Sequence, residues 1–154
     1  LLRKRVKTAL NQTGKANEAA DGMDIALCIL DTETNVLQFS GAYNPLYLIR
    51  DKQLQVVKAD MQPIAIYPRE REFTFNEINV QKGDVIYIFT DGFIDQFGGE
   101  HNDKLKSSGF KKVLLQISHL PMKDQKAVLN DFIDNWMGAK NVQVDDILIL
   151  GIKI

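Results

Sequence analysis

The stretch Val85-Ile86-Tyr87-Ile88-Phe89-Thr90-Asp91-Gly92 decides how this chain reads. Five apolar or aromatic side chains run without a break, behind the turn signal Lys82-Gly83-Asp84, as expected of a short central strand covered on both faces. The polar triplet Thr90-Asp91-Gly92 then ends the run. A carboxylate at the end of a buried strand is held by a stiff backbone yet is partly desolvated. Gly92, lacking a Cβ, lets other groups come close to it. Asp-Gly is also a common turn dipeptide, so a plain turn and a ligand site both remain open for Asp91.

Two further acidic groups abut apolar strands. Asp145-Asp146 precedes Ile147-Leu148-Ile149-Leu150-Gly151-Ile152, which reads as a closing buried strand, and Asp21 and Asp24 precede Ile25. Adjacent like charges such as Asp145 and Asp146 destabilise a fold unless one faces water or a cation. Carboxylates converging at strand ends would take a hard divalent cation, and Mg²⁺ or Mn²⁺ suits all-oxygen ligands. Asp21-Gly22-Met23-Asp24 reads instead as a loop closing before a strand.

Around these points lies a meander. Ile25 to Leu30 is a second uninterrupted apolar run, expected to be covered on both faces, and Asp31 to Asn35 turns it into Val36–Ser40. Leu46–Ile49 and Leu54–Lys58 flank Asp51-Lys52, a hairpin link without the preferred glycine. Phe73 and Phe75 alternate with polar residues, which predicts a strand face. Phe110, Val113, Leu114 and Ile117 then follow helical spacing behind Ser107 and Ser108 as caps. Leu129, Phe132, Ile133 and Trp136 repeat it, between Pro121 and Gly138. Leu2, Val6 and Leu10 share a face of an N-terminal helix after which the stretch Asn11 to Asp21 is polar. Strands, a helix pair and a last strand imply α+β layering rather than alternating βαβ units.

The 154 residues, 45% hydrophobic and 25% charged, suit about one globular domain. Nineteen Lys plus Arg against 20 Asp plus Glu leave a formal charge of −1, which gives no overall case for binding nucleic acid or an anionic membrane. The basic cluster Arg3 to Lys7 reads as a solvated helix face, with a polyanion contact as the alternative. Cys28, the single cysteine, excludes an internal disulfide and reads as a small buried hydrophobe in a reducing, cytoplasmic compartment. No apolar run is long enough to span a bilayer, so no membrane contact by this segment is expected. The chain starts at Leu1 without an initiator methionine and reads as part of something longer.

Other chemistries fit poorly. Haloacid-dehalogenase phosphatases need a nucleophilic Asp where Phe89 stands, and Gly98-Gly99-Glu100 lacks the aromatic that follows in a nucleotide-cyclase hairpin, having His101 instead. His101 and His119 have no Cys or His at zinc spacing. Walker and Rossmann glycine patterns are absent.

Six segments in order carry a resemblance: Asp21 to Leu27, Gly41 to Tyr47, Pro63 to Ile66, Lys82-Gly83-Asp84, Phe89 to Gln96 and Val144 to Ile147. Together they resemble the SpoIIE/RsbU-like serine phosphatases, a bacterial branch of the metal-dependent type-2C (PPM) family. The resemblance implies an α+β fold, an antiparallel β-sandwich flanked by helices. It implies two Mn²⁺ or Mg²⁺ ions, with water activated by metal as the nucleophile on a phosphoserine protein. Asp91 matches the family's Ser/Thr-Asp-Gly ligand, with Gly92 as near-site backbone. Asp145 matches the first aspartate of its final pair, and Asp146 takes the second position. The family's first metal motif, a Gly-Asp segment, is not in the chain, so residues 1–154 read as one N-terminally incomplete phosphatase domain lacking N-terminal strands. Relatives place the domain after an upstream sensor, in some cases membrane-anchored, and act on a STAS-type anti-sigma-factor antagonist. A catalytically inactive PPM-like module serving binding or regulation is the competing expectation, and a homodimer is left open.

Overall fold

The computed structural model describes residues 1–15 and 21–154, so 16–20 of the polar stretch lie outside the described residues. Its elements are α1 (Leu2–Ala9), β1 (Ile25–Asp31), β2 (Val36–Ala42), β3 (Leu46–Arg50), β4 (Gln53–Val57), β5 (Asn76–Asn79), β6 (Val85–Phe89), α2 (Gly92–Asp95), β7 (Phe97–Gly98), β8 (Asp103–Lys104), α3 (Lys106–Ile117), α4 (Met122–Met137) and β9 (Ile149–Lys153). They fall into two units that interleave along the chain: Leu1–Leu46 with Val57–Val80, and Tyr47–Val56 with Gln81–Ile154.

In the first unit an antiparallel sheet runs in the order β1-β2-β5. Asp31 shapes its first turn by accepting the N–H groups of Glu33 at 2.8 Å and Thr34 at 3.1 Å, which holds its carboxyl below the usual range. The expectation that Ile25–Leu30 is covered on both faces fails. β1 is an edge strand, and Leu27 (51% exposed) and Ile29 (57%) stand in solvent. Cys28 is half-buried rather than buried, with burial pushing its thiol up. Phe73 and Phe75 lie before a strand, not in one, since β5 starts at Asn76. The Arg3 guanidinium sits 4.5 Å over the Phe73 ring and donates to Arg71 O and Pro63 O, while Lys7 pairs with Glu70. Part of the basic cluster thus fastens α1 to the 63–73 segment, whereas Leu2 and Leu10 on its apolar face stay exposed.

In the second unit the sheet order is β4-β3-β6-β9, and β6 is an inner strand as its apolar run predicts. The β3–β4 link has positive φ at both Asp51 (48°) and Lys52 (61°), the backbone of a type I′ hairpin reached without glycine. β9 pairs antiparallel with β6, Phe89 opposite Ile149 and Val85 opposite Lys153. It is an edge strand with Leu150 and Ile152 exposed and Ile149 and Gly151 only half-buried, so the closing strand is present but the expectation that it is buried fails.

The aromatic core of this unit joins Tyr47, Phe89, Phe93 and Phe110, with ring centroids 4.7 to 4.9 Å apart along Tyr47–Phe89, Phe89–Phe110 and Phe93–Phe110. Pro121 opens α4 and Gly138, at φ 59°, closes it, as the spacing implies. Ser107 and Ser108 do not cap α3, since the helix begins one residue before them, behind Leu105. The hydroxyl of Tyr87, pushed up to about 12 by burial, donates to Gln125 Oε1 at 2.6 Å. Gln125 Nε2 donates in turn to Leu120 O, tying β6 to the start of α4.

The Lys82-Gly83-Asp84 turn carries more than a change of direction. Gly83 adopts φ 97°, a conformation that favours glycine, and the backbones of 83–84 exchange hydrogen bonds with Ile154. Asp84, 1% exposed, accepts Arg50 Nε at 2.8 Å, Arg50 Nη2 at 2.6 Å and Gln81 N–H at 2.9 Å. The antiparallel sheets and the helix pair between β8 and β9 make the expected α+β class. No described helix is long and apolar enough to cross a membrane.

Candidate metal centre

The β6–β9 ladder continues past the ends of both strands and delivers the acidic segments to one place. Thr90 N–H donates to Leu148 O at 3.0 Å. The Thr90 hydroxyl works in both directions: it donates to Asp146 O at 2.8 Å and accepts Leu148 N–H at 3.0 Å. One side chain therefore satisfies two backbone groups of the segment that carries Asp146, and holds it beside the residue that follows, Asp91.

Gly92 closes the approach. A Cβ at this position would lie 2.5 Å from Asp146 O, 2.9 Å from Asp146 C and 3.2 Å from Asp145 O. These are backbone atoms, so the Asp91 turn and the Asp145–Asp146 segment meet at a distance that no side chain permits. Asp91 itself stands at the start of α2 in helical conformation, and its carbonyl accepts Asp95 N–H at 2.9 Å.

The structure thus brings Asp91, Gly92, Asp145 and Asp146 together from segments more than fifty residues apart. Asp145 Oδ1 accepts Asp146 N–H at 2.7 Å, and Gln143 Nε2 donates to Asp145 O at 2.8 Å. Among the described residues, the carboxylates of Asp91 and Asp146 accept no hydrogen bond and form no ion pair. Asp91, Asp145 and Asp146 are all exposed. Asp21 and Asp24 belong to the first unit, where Met23 bridges to Ile64, consistent with a loop that closes before β1.

The donor chemistry fits a hard divalent cation, because every group offered is a carboxylate or carbonyl oxygen. The number does not reach a complete set. Among the described residues, no group of three or more His, Cys, Asp or Glu is placed to hold a metal ion.

Two parts of this centre escape a reading of the sequence. The double role of the Thr90 hydroxyl depends on a partner that no local pattern reveals. Gln96 is fully buried: its Nε2 donates to Val142 O at 3.0 Å and Phe97 O at 3.2 Å, and its Oε1 accepts Val144 N–H at 3.2 Å. Its own carbonyl accepts Trp136 Nε1–H at 3.0 Å and Leu105 N–H at 3.1 Å. The one sequence signal was a glutamine between Ile94 and Phe97, in a stretch otherwise rich in apolar residues.

The family profile of Stage II sporulation protein E (SpoIIE) matches residues 3–154. Among solved structures, the chain is similar to the SiaA PP2C domain of Pseudomonas aeruginosa, at 26% identity and a TM-score of 0.84 over 99% of this chain and 59% of that one. It shares its fold with SpoIIE from Bacillus subtilis, whose PP2C phosphatase domain with a regulatory fragment aligns at 17% identity and TM-score 0.70, over 98% of this chain and 42% of that one. The RsbU and RsbW domains of a Mycobacterium tuberculosis protein align at 16% identity and TM-score 0.67, over 99% and 42%. No curated protein sequence matches. The chain spans about 59% of the SiaA PP2C chain and less than two thirds of the others named. With nearly its whole length matched by the profile, and a PP2C-type fold in the structure, the chain belongs to the SpoIIE family of PPM-type phosphatase domains.

Proposed function

We propose that the chain forms part of a metal-dependent protein serine/threonine phosphatase that hydrolyses a phosphoserine monoester. The observation that carries this reading is the close approach at Gly92, which sets the backbone of Asp145–Asp146 against the turn bearing Asp91. Asp91, Asp145 and Asp146 would hold Mn²⁺ or Mg²⁺, with Asp146 the second member of the final pair. A divalent ion there supplies Lewis acidity, a more acidic water and neutralisation of phosphate charge. The chain's own contribution is to hold the backbone of Asp145–Asp146 against the turn that bears Asp91 at one strand end, through the Thr90 bonds and the gap at Gly92. One solved relative is a manganese-soaked SpoIIE phosphatase domain, which accords with this choice of ion. Two ions, a complete ligand set, a STAS-type anti-sigma-factor antagonist as substrate and an upstream sensor complete the proposal, in a cytoplasmic setting.

A second reading, a non-catalytic module that binds a partner, is favoured by one observation: the described residues supply no three-donor metal group. One experiment separates the two. Phosphate release from a phosphoserine protein and from p-nitrophenyl phosphate is measured with Mn²⁺, with a chelator and in Asp91→Asn. The expected result is Mn²⁺-dependent release that the chelator abolishes and that Asp91→Asn lowers at least about tenfold, the scale of losing one metal-directed interaction. Hydrolysis that ignores metal or the substitution overturns the mechanism. Absence of release together with absence of aspartate-dependent Mn²⁺ uptake selects the non-catalytic module.

A further inference from the structure

A buried primary amide carries two donors and an acceptor, and leaving them unpaired is strongly destabilising. Gln96 meets this demand in a particular way. Its side chain grips Val142 O and Val144 N–H, the backbone on both sides of Gln143, and so ends one residue short of Asp145. Its backbone follows directly on α2, the helix that starts beside Asp91. Thr90 ties down Asp146 and Leu148 from the position before Asp91, and Gln96 ties down Val142 and Val144 from just beyond α2.

The segment held in this way has little else to hold it. Residues 141–148 carry no helix or strand; Ile147 packs against the core, but Val142, Val144 and Leu148 are exposed, so apolar burial anchors the end after Asp146 and not the stretch from Val142 to Asp145. Fixing the backbone of each such residue costs conformational entropy. A free loop would present Asp145 and Asp146 in many arrangements. A clamped one keeps their backbone beside Gly92, the residue after Asp91, which lowers the ordering cost of taking up a ligand.

The geometry points to Gln96 as a positioning residue, one that sets Asp145–Asp146 against Asp91 for a divalent cation through its hydrogen bonds to Val142 and Val144. The inference rests on the metal reading of the site and adds a residue that touches neither metal nor substrate. Trp136 is the outer support, because its indole N–H fixes the carbonyl of Gln96.

The test is a titration of the chain with Mn²⁺, following loss of the free-ion electron paramagnetic resonance signal, on wild type, Asp91→Asn, Gln96→Met and the double variant. Urea unfolding of each is followed in parallel. Methionine has a similar unbranched shape and no amide. Gln96→Met is expected to raise the Mn²⁺ dissociation constant about tenfold in protein shown to be folded, the range for residues that orient ligands. In the double variant its effect is expected to shrink, because both changes act on one site. If Gln96→Met is too unstable to titrate, Trp136→Phe replaces it, with an expected weakening of about threefold, a part of that same effect. A purely structural glutamine would lower the urea midpoint and leave the Mn²⁺ affinity of the folded protein unchanged, and that result overturns the proposal. The failure modes are distinct. If Asp91→Asn weakens Mn²⁺ uptake and the Gln96 and Trp136 variants do not, only the role of Gln96 falls. If wild type and Asp91→Asn behave alike, the metal reading falls and takes Gln96 with it.

Discussion

Gly92→Ala is expected to weaken Mn²⁺ uptake at least as much as Asp91→Asn does, although it removes no carboxylate. The methyl group would sit 2.5 Å from Asp146 O and 2.9 Å from Asp146 C, well inside van der Waals contact. What decides the size of the effect is the nature of the atoms met. A flexible side-chain tip would swing aside at little cost, but here the obstacle is backbone, and Thr90 holds that backbone on both sides through Asp146 O and Leu148 N–H. The segment must retreat, and with it the two aspartates, or the Thr90 bonds must stretch.

Overpacking of this kind costs about 1 to 3 kcal/mol, and the upper end is expected because the neighbouring ladder is pinned by the β6–β9 register. For a chain of this size that corresponds to a fall in melting temperature of roughly 5 to 10 °C. Gly92 does not have a positive φ, so the glycine is needed for space, not for conformation. Gly83, with φ 97° and open space around its missing Cβ, is the reverse case. Thermal unfolding and an Mn²⁺ titration of Gly92→Ala check both halves. An alanine variant with wild-type Mn²⁺ affinity would show that the close approach has no bearing on the site.

How far the sequence discloses this arrangement differs between fold and site. Val85–Phe89 is an unbroken apolar run and sits inside a sheet, and the two helices follow directly from spacing at Phe110 to Ile117 and Leu129 to Trp136. The same rule misleads at Ile25–Leu30, because apolarity says that a surface is suited to burial and not that a neighbour is present to bury it. Phe73 and Phe75 alternate as a strand would, yet Thr74 is drawn off by Asp60, whose carboxylate takes its N–H at 2.6 Å and its hydroxyl at 3.1 Å. At the site, individual residues give weak signals. Asp91-Gly92 looks like any turn until its distant partner is known; the adjacent charges of Asp145–Asp146 before an apolar run suggest water or a cation, and the ordered set of family-like segments strengthens that reading. Thr90 ends an apolar run and Gln96 is a polar residue among apolar ones, but neither feature names its partner, because their roles lie in long-range hydrogen bonds. Arg50 was equally silent: at the end of β3 it looks like an ordinary solvated terminus, while its guanidinium completes the Asp84 carboxylate.

That pair supports the second large expectation. Arg50→Met should destabilise the chain by about 3 kcal/mol at neutral pH, the low end for breaking a buried ion pair, because the Arg50 head is 35% exposed and water screens part of the interaction. The pH dependence identifies the cause. In the wild type, burial pushes the Asp84 carboxyl up, but the hydrogen bonds from Arg50 and then Gln81, with the guanidinium charge, outweigh it and leave the group below the usual range. A carboxyl lowered by folding contributes stability above its unfolded value, about 3.9, and loses it as the pH falls through the folded value. Without Arg50, burial is opposed by Gln81 alone, so the folded value rises and the sign reverses: the fold then prefers the protonated acid. The stability gap between wild type and Arg50→Met should therefore be widest near neutral pH, begin to narrow as the pH falls through the variant's raised value, and go on narrowing below about 4 as the wild type loses its own contribution. Asp84→Asn in the Arg50→Met background should recover part of the loss at neutral pH, since it removes the uncompensated charge. Urea unfolding at several pH values measures both, and a gap that stays constant from neutral to acid conditions would mean that Arg50 acts through packing of its stem, not through the charge of Asp84.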